Sequence, residues 1–377
     1  MRTVSWLKRI KNIISRVDRV IGGYIFIDLF GFIQPFMRVE HYEQVDGNFI
    51  QEFYPGVKAC SNKLENFHYS LFESYIYSLD KPVVIDSSTG WSFAFRGIVP
   101  LWYSFPYAKF PSGSFLYPTL IWMQIKNLTS VSSKIEYSKA VNMLWYGWSN
   151  YYHFFTDVIP TLLFISKIGL KDVVILIPKN ASQKSFVNEF FGMFPVLKEL
   201  KIDSIPSGTQ VKINSKVFFS KASRYQYPIK YLNDSPFREV LSLIGSRAVK
   251  RIFLYRPYGT RRYLANTSEL SEFLKLKGFE CYDTSKMPLK EQIALFKSVE
   301  ICVGVHGAGL TNLAFSDQTY TLIEIVPESK YTPLHYEHQT KILGGSYFRI
   351  CGKYTQKSDV FAVELDELKD LIESLGI

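Results

Sequence analysis

The stretch Glu300–Phe315 (EICVGVHGAGLTNLAF) constrains the fold more than any other part of the chain. Ile301 to Val305 is a short apolar run of the kind that forms a strand covered on both faces. The chain then breaks into His306-Gly307-Ala308-Gly309. Leu310, Leu313 and Ala314 resume at helical spacing, with Thr311 and Asn312 between them. A second apolar run, Thr321 to Val326, reads as the next strand. The spacing predicts one βαβ unit with glycines at the strand-to-helix turn.

Glycines let a backbone approach a ligand closely. The helix expected from Leu310 begins with unpaired N–H groups and a positive dipole end, which suit a phosphate. His306 falls at the carboxyl end of the strand, where open α/β sheets place their ligands. A diphosphate-bearing ligand is the sharper reading, and a tight turn that merely lets strand and helix pack is the plainer one. The His, Thr and Asn in the turn favour a site. A dinucleotide fingerprint fits poorly: Asn312 stands where its last Gly or Ala belongs, and Glu324 comes too soon to hold a ribose in that motif.

The same alternation of strand and helix extends in both directions. Arg251–Arg256, Phe279–Tyr282, Tyr347–Cys351 and Val360–Glu364 read as strands. Ser268–Lys277, Pro288–Ser298, Tyr331–Leu343 and Asp366–Leu375 read as helices, the first opened by an Asn266/Glu269 capping box and closed by Gly278. That rhythm implies a parallel sheet. Upstream, Lys171–Ile177 and Val211–Phe219 are strands, and Ser182–Met193 and Ser235–Ala248 are helices. Residues from about 40 to 135 hold short β-type runs such as Pro82–Ile85, Trp91–Phe95 and Ser114–Tyr117, broken by Pro and Gly. A chain of 377 residues is long enough for two cores.

Arg256, Arg261 and Arg262 fall at or just past the end of a parallel strand, on the edge that carries His306. Several cations beside a helix start make a diphosphate site, against the ordinary alternative of solvated surface charge. The net charge of +10 points the same way, to an anionic partner. No nucleic-acid-binding pattern is found. Glu324 is an acid inside an apolar strand, expected to bind ligand hydroxyls or else to pair with a nearby Arg. His335 and His338 have helical spacing but no third metal ligand, and are read as ordinary.

The other dense stretch is Trp145–Phe164. Asn150 reads as a helix N-cap. His153 and Asp157, four apart, share a helix face. Taken alone the pair is either a general base with its orienting partner or a buried hydrogen bond that fixes the helix. At the start of the chain, Trp6, Leu7, Ile10, Ile13, Ile14, Val17 and Ile21 recur at helical spacing opposite Lys8, Arg9, Lys11, Arg16 and Arg19. Residues 1–36 thus read as a basic amphipathic segment for an anionic membrane surface, or for oligomerisation. None of the four cysteines forms a C-x-x-C pair, and a reducing compartment is expected.

Three stretches in order resemble the family 61 glycosyltransferases: Asn150-Tyr-Tyr-His-Phe-Phe-Thr-Asp-Val-Ile-Pro160; then Tyr255-Arg256 with Arg261-Arg262 and Asn266-x-x-Glu269; then Val303-Gly-Val-His-Gly-Ala-Gly-Leu-Thr-Asn312 with Ile323-Glu-Ile325. The resemblance implies an α/β, GT-B-like fold, two Rossmann-like domains facing across a cleft, preceded here by the amphipathic segment 1–36. It implies an acceptor-binding domain at 37–245 and a nucleotide-sugar-binding domain at 246–355. A closing strand and helix at 356–377 would follow, with a crossing back to the first domain as an option. It implies inversion without an obligatory metal or other cofactor, a sugar nucleotide as donor, and a glycan or lipid-linked glycan as acceptor.

On that resemblance Asp157 is expected as base with His153 orienting it, the reverse remaining open. Arg256, Arg261, Arg262, His306, Gly307, Ala308, Gly309, Leu310, Thr311, Asn312 and Glu324 are expected at the donor, and Asn150 and Tyr152 at the acceptor. Thr161 departs from the family, which often has Arg after the Pro. A bacterial enzyme building a capsule, lipopolysaccharide or related surface glycan, on the cytoplasmic face of the inner membrane, is the expected setting. A catalytically inactive assembly subunit is the alternative.

Overall fold

The computed structural model describes residues 40–44, 75–79, 82–94, 99–100, 134–144, 146–167, 170, 172–197, 199–221, 232, 237–328, 334–355 and 359–377. The amphipathic segment 1–36 and the run Ser114–Tyr117 lie outside them. The chain is mixed α/β and builds two sheets.

The first sheet contains β1 (Glu40–Gln44), β2 (Tyr75–Leu79), β3 (Val83–Asp86), β4 (Trp91–Ala94), β5 (Val99–Pro100), β6 (Lys134–Asn142), β7 (Val174–Pro178), β8 (Ile202–Ile205) and β9 (Gln210–Lys221). Its order is β5-β4-β3-β9-β6-β7-β8, with β2 also on β9 and β1 on β2. The long β9 is the spine: parallel to β6 on one side, antiparallel to β2 and β3 on the other. β6, β7 and β8 run parallel.

The second sheet contains β10 (Arg251–Leu254), β11 (Tyr263–Leu264), β12 (Glu280–Tyr282), β13 (Ile301–Val305), β14 (Thr321–Pro327), β15 (Ser346–Tyr354) and β16 (Val360–Ala362). Across the sheet the order is β12-β10-β13-β14-β15-β16-β11. From β12 to β15 every pairing is parallel, and only β16 runs antiparallel to β15. Taken by sequence, the five parallel strands stand in the order 2-1-3-4-5. In such a sheet the connections leave in opposite directions from the first and third strands, and a crevice opens at their carboxyl ends. Here those strands are β10 and β13, the two that end at Arg256 and at His306.

The principal helix of the first half is a composite, α1. It runs as an α-turn (Tyr151–His153), a π-turn (Phe154–Val158) and an α-helix (Ile159–Lys167). Pro160 is the local cause. It has no N–H for the Thr156 carbonyl and its ring crowds that oxygen, so the helix widens just before it. The remaining helices are α2 (Ser185–Met193), α3 (Phe237–Ser242), α4 (Thr267–Leu276), α5 (Leu289–Phe296), α6 (His335–Ile342) and α7 (Leu365–Ser374).

Three expectations are corrected. The helix read over Ser235–Ala248 is only the short α3. The residues after the glycine turn, Ala308–Phe315, form a 3-10 helix with Leu310 through Phe315 all buried. Asn312 explains it: its Nδ2 donates to the Gly309 carbonyl at 3.0 Å, the acceptor an α-turn would have used for Leu313. The capping box does not form; Asn266 instead reaches Glu269 with its side-chain amide (3.2 Å) and donates to the Val363 carbonyl (2.9 Å). The closing helix α7 rests on the second sheet. Its Leu368 and Ile372 pack with Phe253, Leu264 and Leu274 of the second sheet.

One apolar cluster runs from the first half into the second, joining Trp148, Phe154 and Phe155 of the α1 region to Leu310, Leu313 and Phe315 of the 3-10 helix. Phe155 and Phe315 meet edge to face, 5.5 Å between centroids. Each such ring contributes roughly 1.5–3 kcal/mol by leaving water. The start of α1 is therefore seated on the turn that follows β13.

Candidate active site

The turn after β13 is shaped by what its glycines leave out. Gly304 makes room for Leu310, whose Cδ2 folds back over it. Gly307 has extended backbone that any residue adopts, so its need is steric. A Cβ there would collide with Nη1 of Arg256, which lies on the turn. Gly309 faces Thr284 Oγ1, which a Cβ would meet at 3.0 Å. The glycine run thus draws the cation at the end of β10 onto the carboxyl end of β13.

Arg256 is half-buried, and its Nε is shut from solvent with no hydrogen-bond partner. Arg262, also half-buried, has φ +58, the one side-chain-bearing residue with positive φ among the described residues. Burial lowers the proton affinity of both guanidiniums; Arg262 lowers that of Arg256 further, and Arg261 acts on both. Guanidinium remains charged under such pressure. Among the described residues neither has a carboxylate within ion-pair distance. Two partly desolvated, mutually repelling cations therefore stand close together, and Arg256 lines one cavity with the first residues of the 3-10 helix, Ala308 to Leu310.

His306 is buried beside them. Its Nδ1 lies 2.5 Å from Oε1 of Glu324, and the Glu324 side chain is 0% exposed. Oε2 of the same carboxylate accepts from Tyr347 OH at 2.5 Å, and Arg349 Nε donates to that phenol oxygen at 2.8 Å. Glu324 and Arg349 are register partners on β14 and β15. Burial first, and then Glu324, push the Tyr347 phenol up, so it stays a donor.

Across the crevice, His153 Nδ1 lies 2.6 Å from Oδ2 of Asp157. The His153 side chain is 17% exposed and that of Asp157 1%. Thr156 Oγ1 sits 3.1 Å from the other Asp157 oxygen, and Thr161 Oγ1 donates to the Asp157 carbonyl at 2.7 Å. Asn150 caps the helix, its side chain accepting from His153 N–H as expected. The two histidines are bridged by rings. Tyr152 lies 5.3 Å from His153 and 4.8 Å from His335, and His335 lies 6.4 Å from His306. Tyr336 packs edge-on against both His306 and Tyr152.

Of the expected donor residues, the structure brings together Arg256, Arg262, His306, Gly307, Ala308 and Gly309. It separates others. Arg261 is 86% exposed and pairs with Asp359 at 3.9 Å, the solvated reading. Glu324 is shut from solvent, its oxygens engaged by His306 and Tyr347, and Arg349 Nη2 lies 3.7 Å away, which is nearer to the alternative of pairing with an Arg than to ligand hydroxyls. Leu310, Thr311 and Asn312 are buried. Asn312 is a latch: its Oδ1 accepts from Tyr151 OH at 2.5 Å and its amide donates to Gln292 Oε1 at 2.7 Å. Burial pushes the Tyr151 phenol well up, with Glu189 adding to it, so the donor role persists. His335, read as ordinary, stands between the two histidines. A lone His opening a helix carries no sequence signal for that place.

Beside Arg256 and the glycine turn lies a cavity of about 350 Å³, lined by Tyr151, Phe186, Tyr255, Asp283, Thr284 and Met287 among others. Among the described residues no group of three or more His, Cys, Asp or Glu is placed to hold a metal ion.

The architecture is thus that of an α/β protein with a half-buried guanidinium and a cavity at the switch point of its second sheet, and an acid-backed histidine on the neighbouring helix α1. Residues 151–323, a segment that holds both histidines and the glycine turn, match the family model Glycosyltransferase 61. A curated relative, alpha-1,3-arabinosyltransferase XAT3 of Oryza sativa subsp. japonica, is 34% identical over 95 residues. That stretch covers 24% of this chain and 16% of the relative. Both comparisons support a glycosyltransferase.

Proposed function

We propose that the protein transfers a sugar from a nucleotide-sugar donor to a hydroxyl of a glycan or lipid-linked glycan, inverting the anomeric centre in one displacement. The observation that carries the reading is Arg256, laid on Gly307 at the switch point with, among the described residues, no carboxylate within ion-pair distance. The donor diphosphate sits between Arg256, Arg262 and the N–H groups of the turn, on the second sheet. The acceptor approaches from α1 of the first half, in a GT-B-like layout of facing donor and acceptor lobes.

The acceptor hydroxyl forms a bond to the anomeric carbon as the bond from that carbon to the diphosphate oxygen breaks. The electron pair leaves on the diphosphate, where the two guanidiniums stabilise it. The hydroxyl proton passes to His153 Nε2. Asp157, fully buried behind Nδ1, orients the ring of the more exposed His153, so the roles are the reverse of those first expected from sequence. A carboxylate sealed from solvent and committed to His153 is badly placed to meet an incoming alcohol. The two guanidiniums supply the positive charge the leaving group needs, and turnover is expected to survive chelation.

The test is release of nucleoside diphosphate from a panel of sugar nucleotides, with oligosaccharide and lipid-linked acceptors, by the full chain and by His153→Ala. Turnover by the wild type that collapses in the variant is expected. Equal, near-zero release by both would sink the proposal and favour an inactive assembly subunit. Residues 1–36 are proposed to hold the enzyme on an anionic bilayer. Co-sedimentation with phosphatidylglycerol vesicles that persists when the segment is removed would refute that part.

A further inference from the structure

We infer that Asp283 receives the ribose hydroxyls of the donor, so that the enzyme selects ribonucleoside over 2′-deoxyribonucleoside diphosphates. The inference rests on the diphosphate reading above and goes a step past it, to the nucleoside half of the ligand.

With the diphosphate at the ends of β10 and β13, the rest of the donor must run in two directions along the sheet edge. Towards β14 and α1 the way leads to His335, Tyr152 and His153, the side on which the sugar must meet its acceptor. The nucleoside therefore runs the other way, over β10 towards β12, one strand away at about 4.8 Å. The cavity of about 350 Å³ lies on that side. Its lining includes the aromatic and apolar bodies of Phe186, Tyr255 and Met287, which suit a base.

Asp283 is the carboxylate lining that cavity, and β12 delivers it there. The ladder pairs Leu254 with Tyr282, and Tyr255 N–H donates to the Tyr282 carbonyl at 3.2 Å. The residue after Tyr282 thus stands beside Tyr255 and next to Arg256. The nearness is felt electrostatically, since Asp283 acts to raise the proton affinity of Arg256. The carboxylate is held in place by the chain that follows it. Oδ1 accepts from Ser285 N–H at 2.9 Å and Oδ2 from Ser285 Oγ at 3.0 Å. Each oxygen keeps a second lone pair. An acceptor-only fork fixed beside a cation is what a vicinal diol attached to a diphosphate requires.

Glu324 was the residue the sequence favoured for ligand hydroxyls. Its commitment to His306 and Tyr347 leaves that role open, and Asp283 fills it from the opposite side of the crevice.

The test compares the affinities of uridine, cytidine, guanosine and adenosine diphosphates with those of their 2′-deoxy counterparts by calorimetry, for the wild type and Asp283→Asn. Asparagine keeps an acceptor for Ser285 N–H, so the turn survives; inorganic pyrophosphate, which has no ribose, should bind the variant at least as tightly as the wild type and serves as the folding control. The wild type is expected to prefer the best ribonucleotide about tenfold over its deoxy form, the loss of one charge-assisted hydrogen bond. In the variant the preference should fall to about twofold or less. A preference unchanged by the substitution, or absent from the wild type, would overturn the role of Asp283 alone. Failure of the wild type to bind any nucleoside diphosphate or pyrophosphate would overturn the diphosphate site and this inference with it.

Discussion

His306 and His153 are held in the same way, each with Nδ1 on a carboxylate that is shut from solvent, and they differ in what surrounds them. Behind His306, Glu324 is itself gripped by Tyr347 and approached by Arg349, whose Nη2 lies 3.7 Å from it. The ring is 6% exposed and sits among cations. Behind His153, Asp157 hangs in a π-turn with threonine hydroxyls about it, and the ring is 17% exposed on the opposite wall. The same dyad therefore serves two ends. The buried one stiffens the floor of an anion site. The exposed one is the one proposed to take the acceptor's proton.

The largest effect expected from breaking that contrast falls on turnover. His153→Ala should lower kcat by roughly 10²–10⁴, the usual contribution of a positioned base, while the affinity for nucleoside diphosphate stays within about twofold. His306→Ala should do the opposite, weakening nucleotide binding with a smaller change in kcat. Steady-state kinetics beside calorimetry reads both. Identical kinetic signatures from the two variants would show that the dyads are not divided in this way.

Next in size is the stability carried by the buried dyad. Glu324→Gln removes the charge that Arg349 and His306 face. Breaking a buried, hydrogen-bonded ion pair costs about 3–5 kcal/mol. Asp157→Asn, at a carboxylate with no guanidinium in ion-pair distance among the described residues, should cost less stability but most of the turnover, because His153 loses the charged acceptor that fixes its tautomer. Urea unfolding measured beside kcat separates the two outcomes, and equal stability losses would sink the distinction.

Gly307→Ala probes the floor directly. The backbone there accepts any residue, and the atom a new Cβ would strike is the tip of the Arg256 side chain. The variant should fold normally and bind nucleoside diphosphate about tenfold more weakly, as one charge-assisted contact is displaced. Unchanged affinity would mean that Arg256 does not touch the ligand.

Much of this architecture was legible in the chain, and the remainder was hidden for identifiable reasons. The buried β13, the glycine turn and the parallel rhythm follow from apolar runs and punctuation, which are local. The i,i+4 spacing of His153 and Asp157 placed them on one face. Which of the two meets solvent depends on how α1 packs, and no spacing records that. Glu324 announced itself as an acid in an apolar strand, but its partners, His306 after β13 and Tyr347 on β15, are set by pairing register. Arg261 and Arg262 are neighbours in sequence with opposite fates, divided by a single positive φ. The 3-10 character of Ala308–Phe315 turns on one side-chain amide.

The smallest expected effect concerns how the two walls are kept in register. Tyr151 belongs to α1 and Asn312 to the turn after β13, and their bond joins the exposed dyad to the floor. Tyr151→Phe leaves the ring packing intact, including the edge contact with Phe186 at 5.2 Å. It strands Asn312 Oδ1 in a buried place, at a cost of roughly 1–3 kcal/mol. If the bond only stabilises the fold, unfolding shifts by that amount and kinetics stay as they were. If it also sets the distance from His153 to the diphosphate floor, kcat should fall several-fold with no change in nucleotide affinity. A misplacement by a fraction of an ångström is felt in the displacement step and in neither binding event alone.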